Sequence, residues 1–158
     1  MSIDYLELAD YLLIAEAVLQ TPAKEIAQDA SLNLADSALH APRARFVGEE
    51  FYPEFPKKAA VLGAHLVKNH PLRDGNVQVA LVATVEFCTR NGFRWSPPPS
   101  DEVGEATADV FLGLAASPIN EQVIGELAAW IAERIGYPGR GSATPEADGP
   151  PSIATGLP

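Results

Sequence analysis

The sequence predicts a mainly helical domain followed by a disordered tail. Apolar residues recur every three or four positions, as in a helix with one buried face, in four stretches: 8–20, 56–69, 100–115 and 118–135. The chain has 158 residues, of which 47% are hydrophobic and 20% are charged, so one core is large enough to fold alone. Residues 138–158 are rich in Pro, Gly, Ser and Ala, a composition typical of disorder. We therefore expect one domain at 1–137 and a disordered tail at 138–158.

The N-terminal part of the domain is predicted to contain two helices. The first covers 8–20, where one apolar stripe is formed by Leu8, Tyr11, Leu12, Ala15, Val18 and Leu19. A polar connection at 22–31 follows. Asn33 is then suited to cap a short second helix, because its side-chain oxygen can accept a hydrogen bond from an amide of the first turn. This helix should end before Pro42, which disfavours helical backbone in the preceding residue.

A loop and a third helix come next. Residues 46–55 are aromatic and are interrupted by glycine and proline, which predicts an irregular loop. Pro56 suits the first turn of a helix, where its missing amide hydrogen is not needed, and we expect this helix to cover 56–69. It brings His70 to the surface of the domain.

The segment 77–89 is compatible with a helix or a strand. Its apolar residues alternate, as in a strand, and Asn91 and Gly92 would then form a hairpin turn. Its alanines and its scarcity of polar residues also fit a helix that is buried nearly all round and ends at Gly92. The pattern favours the helix but leaves both structures open.

Two further helices are predicted before the tail. Ser100 is positioned to cap the first, at 100–115, with acidic residues in a turn where they suit the helix dipole. Ser117 and Pro118 are suited to open the last helix, and Gly136 should end it. The apolar face of the helix at 100–115 is formed by Val103, Ala106, Thr107, Val110, Phe111, Leu114 and Ala115.

The formal net charge of −10 argues against direct binding of nucleic acid, whose phosphates are bound by clustered Lys and Arg. Two acidic residues and six basic ones lie between positions 57 and 94, the basic ones being Lys57, Lys58, Lys68, Arg73, Arg90 and Arg94. An anionic ligand would prefer this region, unless the basic side chains only complete helix ends. No stretch reaches the eighteen or so apolar residues of a membrane span, and the first residues lack the basic start of a signal peptide. We expect a cytoplasmic protein.

The cysteine and two of the three histidines are predicted to be structural. Cys88 is flanked by apolar residues and is expected to be buried rather than reactive. His40 and His65 lack carboxylate or cysteine partners at the spacing of a metal site. The third histidine is different, because of the residues that follow it.

Residues 70–76, His-Pro-Leu-Arg-Asp-Gly-Asn, combine groups that can move a phosphate. His70 can take a proton near neutral pH, Asp74 can hold a hard cation, and Gly75 lets backbone amides approach an anion closely. Taken alone, a histidine four residues before an aspartate is a weak signal, because aspartate commonly caps helices.

This stretch resembles the active-site motif of the Fic/Doc family, His-x-Phe-x-Asp-Gly-Asn-(Lys or Gly)-Arg, with Leu72 in place of the phenylalanine. Residues 33–42 resemble a pattern of the Doc branch, Leu-Leu-x-Ser-Ala-Leu-x-x-Pro. Residues 46–53 resemble the Doc version of a flap that aligns the target peptide beside the active site. Residues 87–92 resemble the end of the family's central helix, Phe-x-x-x-Asn-Gly. The resemblance covers about 5–135.

The resemblance implies an all-α bundle of about six helices, in which 77–89 is a central buried helix after the active-site loop. It implies transfer of part of ATP to a hydroxyl of a target protein, with Mg²⁺ as cofactor. The transferred group is AMP in most Fic enzymes and the terminal phosphoryl group in Doc toxins, which act on elongation factor Tu. Doc toxins are held inactive by a small antitoxin, and we expect the antitoxin's C-terminal helix to bind a groove near the active site.

Carried over to this chain, the family's roles fall on five residues. His70 would be the base that takes the proton from the target hydroxyl, and Asp74 would be the metal ligand that holds Mg²⁺ against the phosphates. Backbone amides around Gly75 and Asn76 would bind phosphate oxygens at the start of the helix. Gln78 stands where the family has a phosphate-binding arginine.

The chain departs from the motif at two adjacent positions, where Val77 and Gln78 replace Lys-Arg or Gly-Arg. A neutral glutamine cannot make the charge-assisted, often bidentate hydrogen bonds that arginine makes to phosphate, so activity is expected to be attenuated. The alternative is a catalytically inactive module of the same fold that binds an antitoxin or another protein through an apolar groove. A third alternative is an unrelated helical scaffold with a chance motif.

Overall fold

The computed structural model describes residues 2–138, which form seven α-helices and one short β-hairpin. The helices are α1 (Leu8–Leu19), α2 (Ala23–Asp29), α3 (Leu32–His40), α4 (Phe55–Asn69), α5 (Asn76–Arg90), α6 (Glu105–Ala116) and α7 (Glu121–Arg134). The hairpin strands are β1 (Arg45–Phe46) and β2 (Glu49–Glu50). The predicted all-α class is confirmed, with one helix more than the six expected.

Helix α4 lies at the centre of the bundle. It contacts α3, α5, α6 and α7, and 11 of its 15 residues are buried. A Cβ atom on Gly63 would lie 2.7 Å from Thr84 Oγ1 of α5, so α4 and α5 approach closely because this position has no side chain. The helix predicted at 56–69 is confirmed, with Pro56 in its first turn.

The segment 77–89 is helical, as the resemblance implies, and the strand alternative is wrong. Helix α5 buries one face, including Val79, Ala83 and Phe87, and exposes Gln78 and Val82. Burial nearly all round, which we expected for this segment, is found in α4 instead. The reason is that α5 packs against α4 with α1 and α6 beside it, which leaves part of its surface open to solvent.

The first part of the bundle contains a helix that the sequence pattern does not reveal. Helix α1 forms as predicted, with Tyr11 and Ala15 in the core. Residues 22–31, predicted to be a polar connection, contain α2. This helix buries a single residue, Ile26, so it has no apolar stripe from which periodicity could be recognised.

The predicted cap of the next helix is wrong. Asn33 is an exposed residue inside α3, which begins after Ser31. The Ser31 amide donates to the Pro71 carbonyl at 2.8 Å, so the start of α3 is tied to the loop that follows α4. The helix ends at His40, before Pro42, as predicted.

Residues 46–55 are not entirely irregular, because their first part belongs to the hairpin. Strands β1 and β2 pair antiparallel, and the turn residues Val47 and Gly48 both have positive φ, 52° and 78°. Two successive central residues with positive φ are typical of a tight hairpin turn. The prediction of a loop is wrong here because strands of two residues are too short to show alternation.

Helix α6 is confirmed, but its predicted cap is wrong. The buried carboxylate of Asp101, not Ser100, accepts hydrogen bonds from the amides of Ala106 (2.8 Å) and Thr107 (3.0 Å) in the first turn. The hydroxyl and amide of Thr107, with the amide of Ala106, hold the pKa of Asp101 below its usual value. Val103, predicted on the apolar face, precedes the helix and is 82% exposed.

Helix α7 is also confirmed with a different start. Ser117 and Pro118 precede it, and the side chain of Asn120 caps it by accepting from the Val123 amide at 2.8 Å. Gly136 ends the helix as predicted, with a positive φ of 62° that suits glycine.

The predicted disordered tail at 138–158 lies outside the described residues, apart from Pro138. Among residues 2–138, no helix is both long and apolar enough to cross a membrane.

Candidate functional site

The candidate site is built on the loop that joins α4 to α5. Both ends of this loop have left-handed backbone: His70, with φ 55°, ends α4, and Gly75, with φ 82°, precedes α5. A residue other than glycine rarely adopts this conformation. The two left-handed residues reverse the chain, so the N-terminus of α5 lies beside the exposed His70.

Gly75 is required by its surroundings as well as by its backbone. A Cβ atom here would lie 2.5 Å from Leu19 Cδ2, at the end of α1. A residue with a Cβ atom would therefore have to push the Leu19 side chain aside, besides adopting a left-handed backbone that favours glycine. The end of α1 thus lies against the loop.

A pair of hydrogen bonds closes the loop from within. The Asn76 side chain accepts from the Leu72 amide at 2.9 Å and donates to the Leu72 carbonyl at 2.8 Å. Both residues are buried, Leu72 to 4% exposed and Asn76 to 6%. Leu72 therefore anchors the loop in the core, in the place of the family's phenylalanine, and the loop is held in one shape before any ligand binds.

The N-terminus of α5 is open to an anion. No side chain caps this helix, and the first amides of an α-helix have no partner within it. The amides of Asn76, Val77 and Gln78 therefore point out of the helix end, where the helix dipole adds partial positive charge. A phosphate oxygen can accept hydrogen bonds here.

Asp74 precedes these amides in the loop and has a carboxylate that could bind a cation. It is exposed, and its Oδ1 atom accepts from the Gly75 amide at 3.0 Å. Among residues 2–138 no group of three or more His, Cys, Asp or Glu side chains could enclose a metal ion. One carboxylate suits Mg²⁺ nevertheless, since this ion commonly keeps several waters and binds one or two carboxylates together with substrate phosphates.

A cleft of about 360 Å³ brings the predicted site residues together. It is lined by His70, Arg73, Asp74, Gly75, Asn76, Val77, Gln78, Leu81, Ala108 and Leu112. All five residues to which we assign roles are among them, and those roles stay predictions. Leu81 of α5, with Ala108 and Leu112 of α6, forms an apolar wall, so the cleft is polar at the loop and apolar between the helices.

A second cavity, of about 260 Å³, lies on the other side of the loop, against α1 and α2. Its lining includes the acidic residues Glu25 and Asp29, together with Arg73 and Asp74. Arg73 and Asp74 thus line both cavities. Sequence reasoning assigned no role to Arg73, although its charge and its place inside the motif were visible signals.

The basic residues between 57 and 94 do not gather at the cleft. Lys57 pairs with an acidic residue of α7, Lys58 with one of β2 and Arg90 with one of α1, while Lys68 donates to a carbonyl of α6. These side chains bind neighbouring elements, and of the four only Lys68 and Arg90 lie in the last turn of a helix, as in the alternative of basic side chains that complete helix ends. Arg73 is the one member of the group that lines the cleft.

The hairpin is attached to α4 through a buried cation. Lys58 is 1% exposed and donates a short hydrogen bond to Glu50 of β2, and this bond lowers the pKa of Glu50. Phe46 and Phe51 are more than half exposed and stack with ring centroids 6.2 Å apart. The Glu50–Lys58 pair therefore fixes a hairpin that presents aromatic side chains to solvent.

We predict that Glu50→Gln loosens the hairpin, because Lys58 loses the carboxylate that compensates its buried charge. Hydrogen exchange of 45–52 should accelerate, while Glu49→Gln on the same strand should change little. Since the folded pKa of Glu50 is lowered, the pair stabilises the fold above the usual value of 4.5 and this stabilisation is lost as the pH falls through the folded pKa. Equal exchange in the two variants would contradict the attachment.

The single cysteine and the two histidines outside the loop bond or pack within the helices, as expected for structural residues. Cys88 is buried, and burial raises the pKa of its thiol to about 12, so it is not a thiolate at neutral pH. The ring of His65 hydrogen-bonds the Val61 carbonyl one turn earlier, at 2.8 Å. His40 similarly bonds the Asp36 carbonyl, at 2.9 Å. Its ring also lies 3.5 Å from an Asp36 carboxylate oxygen, a partner that we did not expect from the sequence.

Two comparisons relate the chain to known proteins. The sequence model of the Fic/DOC family matches residues 5–88, more than half of the chain and the whole of the loop between α4 and α5. A protein described as Toxin Doc from Mycolicibacterium smegmatis is 41% identical over 59 residues. The aligned part is 37% of this chain and 45% of the Doc protein, so the match spans less than half the length of that relative.

Proposed function

Because the chain belongs to the Fic/DOC family, we propose that it is a Doc-like toxin of a toxin–antitoxin system. It would act in the cytoplasm and transfer a phosphoryl or adenylyl group from ATP to a hydroxyl of a target protein such as elongation factor Tu. One observation carries the proposal: His70, Asp74 and the uncapped N-terminus of α5 meet in a single cleft.

The residues of the cleft suit the parts of such a transfer. The hydroxyl oxygen of the target would form a bond to phosphorus while the bond from phosphorus to the leaving oxygen breaks. A ring nitrogen of His70 would take the proton of this hydroxyl. Attack at the γ-phosphorus releases ADP, and attack at the α-phosphorus releases pyrophosphate. The amides of Asn76, Val77 and Gln78 would bind the phosphate oxygens. Asp74 would hold Mg²⁺, which when bound would supply positive charge that neutralises the phosphates.

The hairpin would serve as the flap that presents the target. A segment of the target could pair with the exposed edge of a strand, and the stacked rings of Phe46 and Phe51 offer it an apolar surface. The buried attachment of Glu50 to Lys58 would hold this surface at a fixed place.

Labelled ATP tests the proposed transfer. We expect the full chain with Mg²⁺ to bind ATP and to label purified elongation factor Tu slowly, since Gln78 carries no charge. Label from the γ-phosphate would identify phosphorylation, and label from the α-phosphate would identify adenylylation. If the chain neither binds Mg·ATP nor labels the factor, the proposed enzyme is overturned.

The alternative function is a catalytically inactive module that binds an antitoxin or another protein. It is supported by Val77 and Gln78, which remove the cations of the motif, and by the apolar wall of the cleft, where Leu112 is 60% exposed. Such a module would bind its protein partner but not Mg·ATP, so the same binding measurement separates the two functions.

We predict that the cognate antitoxin binds through a C-terminal segment that folds as an amphipathic helix against the apolar wall. Calorimetry with the product of the neighbouring reading frame should give micromolar or tighter affinity. Leu112→Asp should weaken binding, whereas Leu13→Asp, also at a 60% exposed leucine but on α1, should not. Absence of micromolar binding, or equal loss in both variants, would contradict the proposed groove.

A further inference from the structure

We propose that Arg73 supplies the phosphate-binding cation that the chain lacks at position 78. The inference rests on the proposed function, because it concerns the anion that the cleft would take. It assigns a binding role to a residue of the loop, which lines the same cleft as the helix position that the family uses.

The first support is the charge of the cleft. Its ten lining residues include one Lys or Arg side chain, Arg73, and one carboxylate, Asp74. The whole chain carries a formal net charge of −10, so a nucleotide approaching it is repelled at long range. Asp74 would be compensated by its metal ion, which leaves Arg73 as the protein cation that can contact phosphate oxygens directly.

The second support is the freedom of the Arg73 side chain. It is 80% exposed, and its charged partner is Asp29 of α2, whose Oδ1 lies 3.7 Å from Nη2. Such an exposed and long contact contributes little. A phosphate group offers the guanidinium shorter, bidentate hydrogen bonds, so a ligand can draw Arg73 away from Asp29 at small cost.

The third support is the position of Arg73 on the ridge between the two cavities. It lines the acidic cavity with Glu25 and Asp29, and it lines the cleft with Asp74 and Gln78. Neighbouring loop residues are anchored by Leu72 and by the Asn76 hydrogen bonds. A rotation of the side chain alone, with the backbone fixed, therefore moves the guanidinium from Asp29 toward the phosphates.

Calorimetric titration of the full chain with Mg·ATP, and separately with Mg²⁺ and inorganic pyrophosphate, tests the assignment. Arg73→Gln should lower the affinity for both ligands about tenfold or more, which is the loss expected when one charged hydrogen-bonding group is removed. Arg73→Lys should retain part of the affinity, because lysine keeps the positive charge but cannot make the two parallel hydrogen bonds of a guanidinium. Arg94→Gln, at an exposed arginine outside the cleft, is the matched control and should bind like the parent.

Substitution of the competing carboxylate should have the opposite effect. Asp29→Asn releases Arg73 and should tighten Mg·ATP several-fold. Glu25→Gln removes one negative charge from the same cavity without touching Arg73, so it reports the general gain from lower acidity. The gain from Asp29→Asn should exceed that of Glu25→Gln, and when Arg73→Gln is also present it should fall to the gain that Glu25→Gln gives.

The outcomes separate this inference from the proposed function. If the parent binds Mg·ATP and Arg73→Gln binds equally well, Arg73 has no such role while the proposed function stands. If the parent binds neither Mg·ATP nor pyrophosphate, both are overturned. Thermal melting of each variant shows whether a loss reflects binding or folding.

Discussion

His70→Ala is expected to abolish transfer to the target hydroxyl while the bundle stays folded. The side chain is exposed at the cleft, so its removal leaves no cavity in the core. A positioned general base contributes about a hundredfold or more to the rate. With a site already weakened at Gln78, that loss should bring transfer below detection.

The backbone at His70 calls for a second variant. Its φ of 55° is left-handed, and alanine is strained there, so a loss in His70→Ala combines chemistry with a distorted loop. Asparagine tolerates this conformation well and is not a base, so His70→Asn separates the two effects. His40→Ala, at an exposed histidine of α3, is the control that should retain activity.

Binding and transfer measured together decide the role of His70. His70→Asn should bind Mg·ATP with the affinity of the parent and transfer at least about a hundredfold more slowly. A His70→Asn protein that labels the target as fast as the parent would remove this residue from the mechanism.

Sequence reasoning succeeded where an element is long and has a continuous apolar stripe. Helices α1 and α7 bury such stripes, and their periodicity was therefore sufficient. It failed for α2, which buries only Ile26, and for the hairpin, whose strands have two residues each. The cap by Asp101 was also missed, because the carboxylate reaches amides five and six residues later, beyond the spacing of an ordinary cap.

The motif predicted which residues share a site, but not how the loop is held. That His70, Asp74 and Gln78 line one cleft follows from their positions in the loop between α4 and α5 and in the first turn of α5. The contact of Gly75 with Leu19 joins residues distant in sequence, so no local pattern encodes it. Local pattern also does not show which of the basic residues between positions 57 and 94 lie at the site. Only the tertiary structure shows that Arg73 is the one that lines the cleft.

Gln78→Arg is expected to strengthen the site more than any other single substitution. Gln78 is exposed in the first turn of α5 and lines the cleft beside Asp74. An arginine here would project toward the phosphates and make charge-assisted, bidentate hydrogen bonds to them. Because such a group also stabilises charge that develops during transfer, the rate should rise on the order of a hundredfold.

The neighbouring residue decides how much of this gain is realised. Val77 is partly buried, and it is β-branched and stiff at a position where the motif has Lys or Gly. Val77→Lys with Gln78→Arg should therefore exceed Gln78→Arg alone, in Mg·ATP affinity, in transfer to elongation factor Tu and in toxicity on expression. Gln78→Lys is the matched control, since it adds the positive charge without the planar guanidinium that can make two parallel hydrogen bonds.

If none of these variants gains affinity or activity over the parent, the cleft does not bind phosphates even with the motif cation restored. The apolar wall beside it would then be the functional surface, and the protein would act as a binding module.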